Sequence, residues 1–121
     1  GGGTSIRSFI HIDDVSDGIM KIVEHGSIGE TYHISTDEFI SIKDLVSKIC
    51  KKLNIKFSEL VEETSDRLGK DQAYQLDSEK LKKLNWDPKI SLDQGLDNTI
   101  DWVDKNFDIL KKMPQEYIHK F

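Results

Sequence analysis

The residues best suited to chemistry in this sequence are two arginines, Arg7 and Arg67, set among fifteen lysines. A guanidinium presents a planar fork of donors that meets paired phosphate or carboxylate oxygens two at a time, whereas an ammonium acts as a point charge. Arginine at two places in a lysine-rich chain points to geometric recognition of an anion. The plainer reading is that both sit in ordinary surface ion pairs. Other chemistry is poorly provided for. His11, His25, His33 and His119 lack the paired spacing of a zinc helix. The single cysteine, Cys50, allows neither an intrachain disulfide nor a cysteine-based metal cluster and fits a reducing, cytoplasmic setting. No G-x-S-x-G nucleophile turn occurs. Gly26 and Gly29 are followed by Tyr32 where a dinucleotide loop needs its third glycine. Tyr32, Tyr74 and Tyr117 have Thr36, Ser78 and Phe121 four positions on, so none has the lysine that would lower its phenol pKa from the same helix face. The chain offers binding groups and no catalytic set.

Local patterns indicate how these groups are positioned. Residues 6–12 alternate, with Ile6, Ser8, Ile10 and Ile12 on one side and Arg7, Phe9 and His11 on the other, the period of a half-buried strand. Asp13 or Asp14 can cap a following helix that carries Val15, Ile19, Ile22 and Val23 and ends near His25, before Gly26. A short strand is predicted over 31–36. Ser41 with Asp44 forms a near capping box for a helix that ends near Asn54. Residues 56–64 read slightly better as a strand than as a helical turn, and 72–76 suit another short strand. Asp77 caps a helix over 78–84, with Asn85 in the left-handed conformation before Pro88. Ser91 starts the clearest amphipathic helix, with Leu92, Leu96, Ile100, Val103 and Phe107 on its stripe. The remaining tail either docks on the body or frays.

At 121 residues the chain is read as one domain with a modest core. A net charge of −5 with dispersed lysines argues against nucleic acid as a partner. No apolar stretch reaches membrane-spanning length, and the start shows no signal-peptide pattern, so no membrane association is expected.

Four ordered motifs carry a resemblance. The segment from Gly3 through Arg7, Phe9, Ile10, His11, Asp14 and Val15 looks like the glycine, arginine, aromatic, I-H-V-x-D-V stretch of extended short-chain dehydrogenase/reductases acting on nucleotide sugars. Gly29–Glu30–Thr31–Tyr32–His33–Ile34 is similar to their G-E-x-Y-N-I-G strand, and Asp66–Arg67–Leu68–Gly69–Lys70–Asp71 to D-R-P-G-H-D. Leu84–Asn85–Trp86–Asp87–Pro88, then Leu92, Gly95 and Leu96, resembles L-G-W-x-P and L-x-x-G-L. The match runs from Gly3 to about Phe107 and most resembles the dTDP-glucose 4,6-dehydratase branch of this NAD-dependent epimerase/dehydratase family.

The resemblance implies an α/β fold: residues 1–121 as the carboxy-terminal, nucleotide-sugar-binding portion of an extended Rossmann-type enzyme, with short strands and about four helices. It implies NAD, held by an amino-terminal Rossmann domain outside this sequence, and a nucleotide-diphosphate sugar as substrate. It further implies a homodimer for the whole protein, and the missing catalytic motifs predict no activity for this chain alone. Arg7 and Arg67 fall on the two arginines that clamp the diphosphate. His33 stands where the family has an asparagine near that group, and Lys70 where dehydratases have a histidine. Phe9 packs either beside the bound base or in the core. Leu68 replaces the motif proline and Ser35 the glycine. The alternatives are a 4-epimerase or reductase of the same family, and a non-catalytic binding or interaction module.

Overall fold

The computed structural model describes residues 1–65, 69 and 71–114. Its elements follow in the order β1 (Ile6–Ser8), α1 (Ile12–His25), β2 (Phe39–Ser41), α2 (Ile42–Leu53), α3 (Phe57–Leu60), α4 (Glu79–Lys82), α5 (Leu92–Lys105) and α6 (Phe107–Leu110). The sheet among the described residues is one antiparallel pair, with Arg7 opposite Ile40. On its other side β1 makes an isolated parallel bridge from Ile6 to Ala73, closed by Ile6 N to Gln72 O at 2.8 Å and Tyr74 N to Ile6 O at 3.2 Å.

Helices α2 and α5 begin, and α2 ends, where the sequence placed its start and stop signals. Ser41 Oγ accepts from Asp44 N at 3.0 Å while the Asp44 carboxylate holds the Ser41 hydroxyl at 2.7 Å, and Asn54 closes α2 at φ 54°. Ser91 Oγ accepts from Gln94 N at the head of α5. Ser41→Ala is expected to remove about 1 kcal/mol of stability, read as a lower urea midpoint at unchanged slope. Asn85 is left-handed at φ 58°, as expected.

Several expectations are corrected. The strand over 6–12 shrinks to three residues because its partner β2 is only that long, and His11, not an aspartate, caps α1, its Nδ1 accepting from Asp13 N at 3.2 Å. Residues 31–36 form no strand, since no neighbouring strand among the described residues pairs with them. Residues 57–60 form a helical turn rather than a strand, and 72–76 contribute one bridge. The predicted helix through Phe107 breaks at Asn106, so the described residues hold six helices where about four were expected, three of them single turns. No helix of the described residues is long and apolar enough to cross a membrane.

The centre of the fold is Trp86. Its side chain and that of Leu81 are fully buried against Gly18 of α1, where an added Cβ would lie 3.1 Å from the indole nitrogen and 3.3 Å from Leu81 Cδ2. Glycine is present in mid-helix because the indole occupies the space of a side chain. Asp14, expected to cap α1, is instead buried. Its carboxylate accepts from Lys89 N and Ile90 N, both at 3.0 Å, while its carbonyl accepts from Trp86 Nε1 at 3.0 Å. One residue thereby ties α1 to the turn that launches α5. Across a cleft, Lys48 and Lys52 of α2 pair with Asp93 and Asp97 of α5 at 3.0 and 2.6 Å, so the two helices run in the same direction.

Candidate functional site

Arg7 projects from β1, and its guanidinium is held by backbone oxygens: Nη1 donates to Ile6 O at 2.7 Å and Nη2 to Asp71 O at 3.0 Å. Asp71 lies four residues beyond Arg67. The Ile6–Ala73 bridge lays this stretch along the same edge of β1, so the strand that carries Arg7 and the chain leaving the second arginine motif are neighbours. Arg67 and Lys70 lie outside the described residues.

His33 is exposed in the middle of this unpaired segment. That segment is fastened to β1 by hydroxyl groups. Ser8 Oγ lies 2.8 Å from Thr36 Oγ1 and 3.1 Å from Thr36 O, Ser35 Oγ donates to Ser8 Oγ at 3.3 Å, and Ser78 Oγ donates to Ser35 O at 3.1 Å. Ser35 and Thr36 are buried, as buried hydroxyls with partners can be. At the start of the segment, Lys80 bonds Glu30 and stands 4.8 Å from the centre of the Tyr32 ring. The Lys80 hydrogen bond and charge hold the Glu30 carboxyl below its ordinary value. The sign follows from that direction: the pair contributes above the ordinary carboxylate pKa and is lost as the pH falls through the lowered value.

Phe9 is half-buried and lines a cavity of roughly 330 Å³ with Ile10, His11, Leu45, Ile90 and Leu96, a lining that includes neither Arg7 nor His33. The structure therefore brings together Arg7, the Asp71 stretch and, through Ser8, the strip carrying His33, and sets Phe9 on the next turn of chain facing a separate apolar space. The Ser8, Ser35, Thr36 and Ser78 network escaped the sequence reading, because hydroxyls drawn from three distant segments leave no spacing signal.

Comparison with known proteins places this geometry. The family model for GDP-mannose 4,6 dehydratase matches residues 1–99. The dTDP-D-glucose 4,6-dehydratase of Mus musculus is 31% identical over 112 residues, covering 88% of this chain and 32% of the relative. The crystal structure of DesIV, a dTDP-glucose 4,6-dehydratase of Streptomyces venezuelae with NAD bound, superimposes with a TM-score of 0.85 at 31% identity, over 90% of this chain and 34% of that one. The UDP-glucose 4-epimerase of Thermotoga maritima with UDP-glucose gives a TM-score of 0.78 at 26% identity, over 88% of this chain and 34% of that one. The chain spans about a third of the length of these proteins.

Proposed function

Because the chain belongs to the GDP-mannose 4,6 dehydratase family, whose model covers residues 1–99, we propose that it is the substrate-binding part of an NAD-dependent nucleotide-sugar 4,6-dehydratase. In this reading Arg7 and Arg67 clamp the nucleotide diphosphate, with His33 and Lys70 as further donors and Phe9 beside the base. The observation that carries the reading is the Arg7 contact to Asp71 O at 3.0 Å, which lays the second arginine's motif against the first arginine's strand. Two guanidinium forks approaching a diphosphate from adjacent strips of chain match its four peripheral oxygens better than scattered lysines would.

NAD does not fit the residues present here. The glycine triplet Gly1, Gly2 and Gly3 precedes β1 and no helix opens on it, so among the described residues the triplet does not take the strand, glycine turn and helix order of a dinucleotide cradle. The cofactor is assigned to the part of the relatives that this chain does not span, and hydride chemistry with it. This chain's own contribution is to hold the substrate and orient its sugar, and correct placement of reacting carbons lowers a barrier by several kcal/mol in such reactions. The lone, buried Cys50 supports a reducing, cytoplasmic setting, and the family resemblance supports a homodimer for the whole protein.

The test uses a chimera in which this chain replaces the matched region of DesIV. Arg7→Ala and Arg67→Ala are each expected to weaken nucleoside-diphosphate binding by about 1.5–3 kcal/mol, roughly ten- to a hundred-and-fifty-fold in Kd by titration calorimetry. Unchanged affinity in both variants removes the clamp. The likeness to the Thermotoga maritima epimerase favours a second reading, a 4-epimerase. The two differ in product, a 4-keto-6-deoxy sugar nucleotide against the 4-epimer, which NMR of a reaction mixture separates.

A further inference from the structure

The Ser8 hydroxyl spends its whole bonding capacity on one short stretch of chain. It donates to Thr36 O at 3.1 Å, lies 2.8 Å from Thr36 Oγ1, and accepts from Thr36 N and Ser35 Oγ, both at 3.3 Å. A hydroxyl has one proton and two lone pairs, so with the proton on Thr36 O the pairs serve the Thr36 N–H and one of the two neighbouring hydroxyls. Both backbone groups of Thr36 are thus met by a single side chain, as a facing strand would meet them. Ser35 and Thr36 are buried, so water is largely shut out of these bonds. Among the described residues no backbone hydrogen bond joins β1 to residues 31–36, which leaves the Ser8 hydroxyl as the direct tie between them.

The tie lies between two groups already placed in the candidate site. Arg7 is the residue before Ser8, with its guanidinium fixed by Ile6 O and Asp71 O. His33 stands two residues before Ser35, on a strip whose far side is held by the Ser78 hydroxyl on Ser35 O and by Lys80 on Glu30. With each donor's chain anchored separately, the spacing of the two donors is set where Ser8 meets Thr36. Successive side chains of a strand point to opposite faces, so the Ser8 hydroxyl is turned away from whatever Arg7 holds. It can fix the geometry of a site without touching the ligand.

We propose that Ser8, with Thr36 as its partner, is a positioning residue that fixes the separation of the Arg7 guanidinium and the His33 imidazole, and that this separation selects two linked phosphoryl groups over one. The inference rests on the reading of Arg7 and His33 as diphosphate donors and goes further by naming the contact that spaces them. A single phosphoryl group engages one donor and is indifferent to where the other stands. Two linked groups need both donors at one distance, so loosening the tie falls on the diphosphate.

The test compares dTDP with dTMP by titration calorimetry in the DesIV chimera, DesIV being a dTDP-glucose 4,6-dehydratase. Ser8→Ala is expected to weaken dTDP about tenfold, because the released strip must be ordered again on binding, and to leave dTMP within about twofold. In a His33→Ala background the same substitution should change dTDP affinity by less than about twofold, since the arm it positions is gone. An equal loss for dTDP and dTMP, or an undiminished Ser8→Ala effect without the imidazole, marks a purely structural hydroxyl and overturns the inference. Weakening by the arginine variants beside an unchanged Ser8→Ala overturns the positioning role alone and leaves the proposed clamp standing. Should Ser8→Ala fail to fold, Thr36→Val and Thr36→Ser decide. The valine removes the 2.8 Å contact at nearly constant volume and should weaken dTDP about fivefold with dTMP unchanged, while the serine keeps the hydroxyl and the parent affinity. If valine and serine bind dTDP alike, the tie does not space the donors.

Discussion

Trp86→Ala is expected to cost about 3–5 kcal/mol, a large share of the stability of a domain this size, and to lower the urea unfolding midpoint accordingly. The indole is 1% exposed and, with Leu81, fills the space over Gly18, so its removal leaves a cavity that helix backbone on one side and a turn on the other are poorly placed to close. Only Cys50, Leu81 and Trp86 are buried apolar residues among those described, so little of the core remains to compensate. Trp86→Phe separates packing from hydrogen bonding. It retains most of the apolar volume and loses the bond to Asp14 O, and it should cost less than half as much. If alanine and phenylalanine behave alike and mildly, Trp86 is not the keystone described here.

The second large effect is expected at Asp14. Asp14→Ala leaves the N–H groups of Lys89 and Ile90 without their acceptor, and each charged hydrogen bond of this kind contributes about 1.5–3 kcal/mol. Asp14→Asn keeps one acceptor oxygen and turns an amide donor towards another donor, so it should recover only part of the loss. The same variants should loosen the entry to α5, seen as faster hydrogen exchange at Gln94 and Gly95 N–H before global unfolding. An alanine variant within 0.5 kcal/mol of the parent would show that water satisfies the turn equally well.

These two residues mark the boundary of what the sequence discloses. Helix ends were legible because their signals are local: Ser41 and Ser91 reach three residues ahead, and Asn54 and Asn85 take the left-handed conformation on their own account. Asp14 was misread for the same reason. It sits where a cap belongs, but its partners lie 75 and 76 positions away, and nothing local distinguishes a cap from a long-range tether. Strands fared worse than helices because a strand is defined by its neighbour. The alternation over 31–36 is present as a pattern, yet without a partner it yields no strand, while β2 formed opposite Arg7 from Phe39–Ile40–Ser41, a segment too short to show an alternation. For the candidate site, arginine scarcity singled out Arg7, and the structure adds the backbone oxygens that fix its guanidinium. The hydroxyls that fasten the His33 strip to Arg7's strand required three dimensions.

The lysine and aspartate rungs between α2 and α5 also constrain which charges can stand where. Asp93 occupies the first turn of α5 and Lys52 the last turn of α2, so each faces the end of its own helix that carries the opposite partial charge. Exchanging the members of a rung would restore attraction across the gap while opposing a helix end, so the ladder has a polarity. Drift in this surface is then free to swap lysine for arginine or aspartate for glutamate, but not to trade sides.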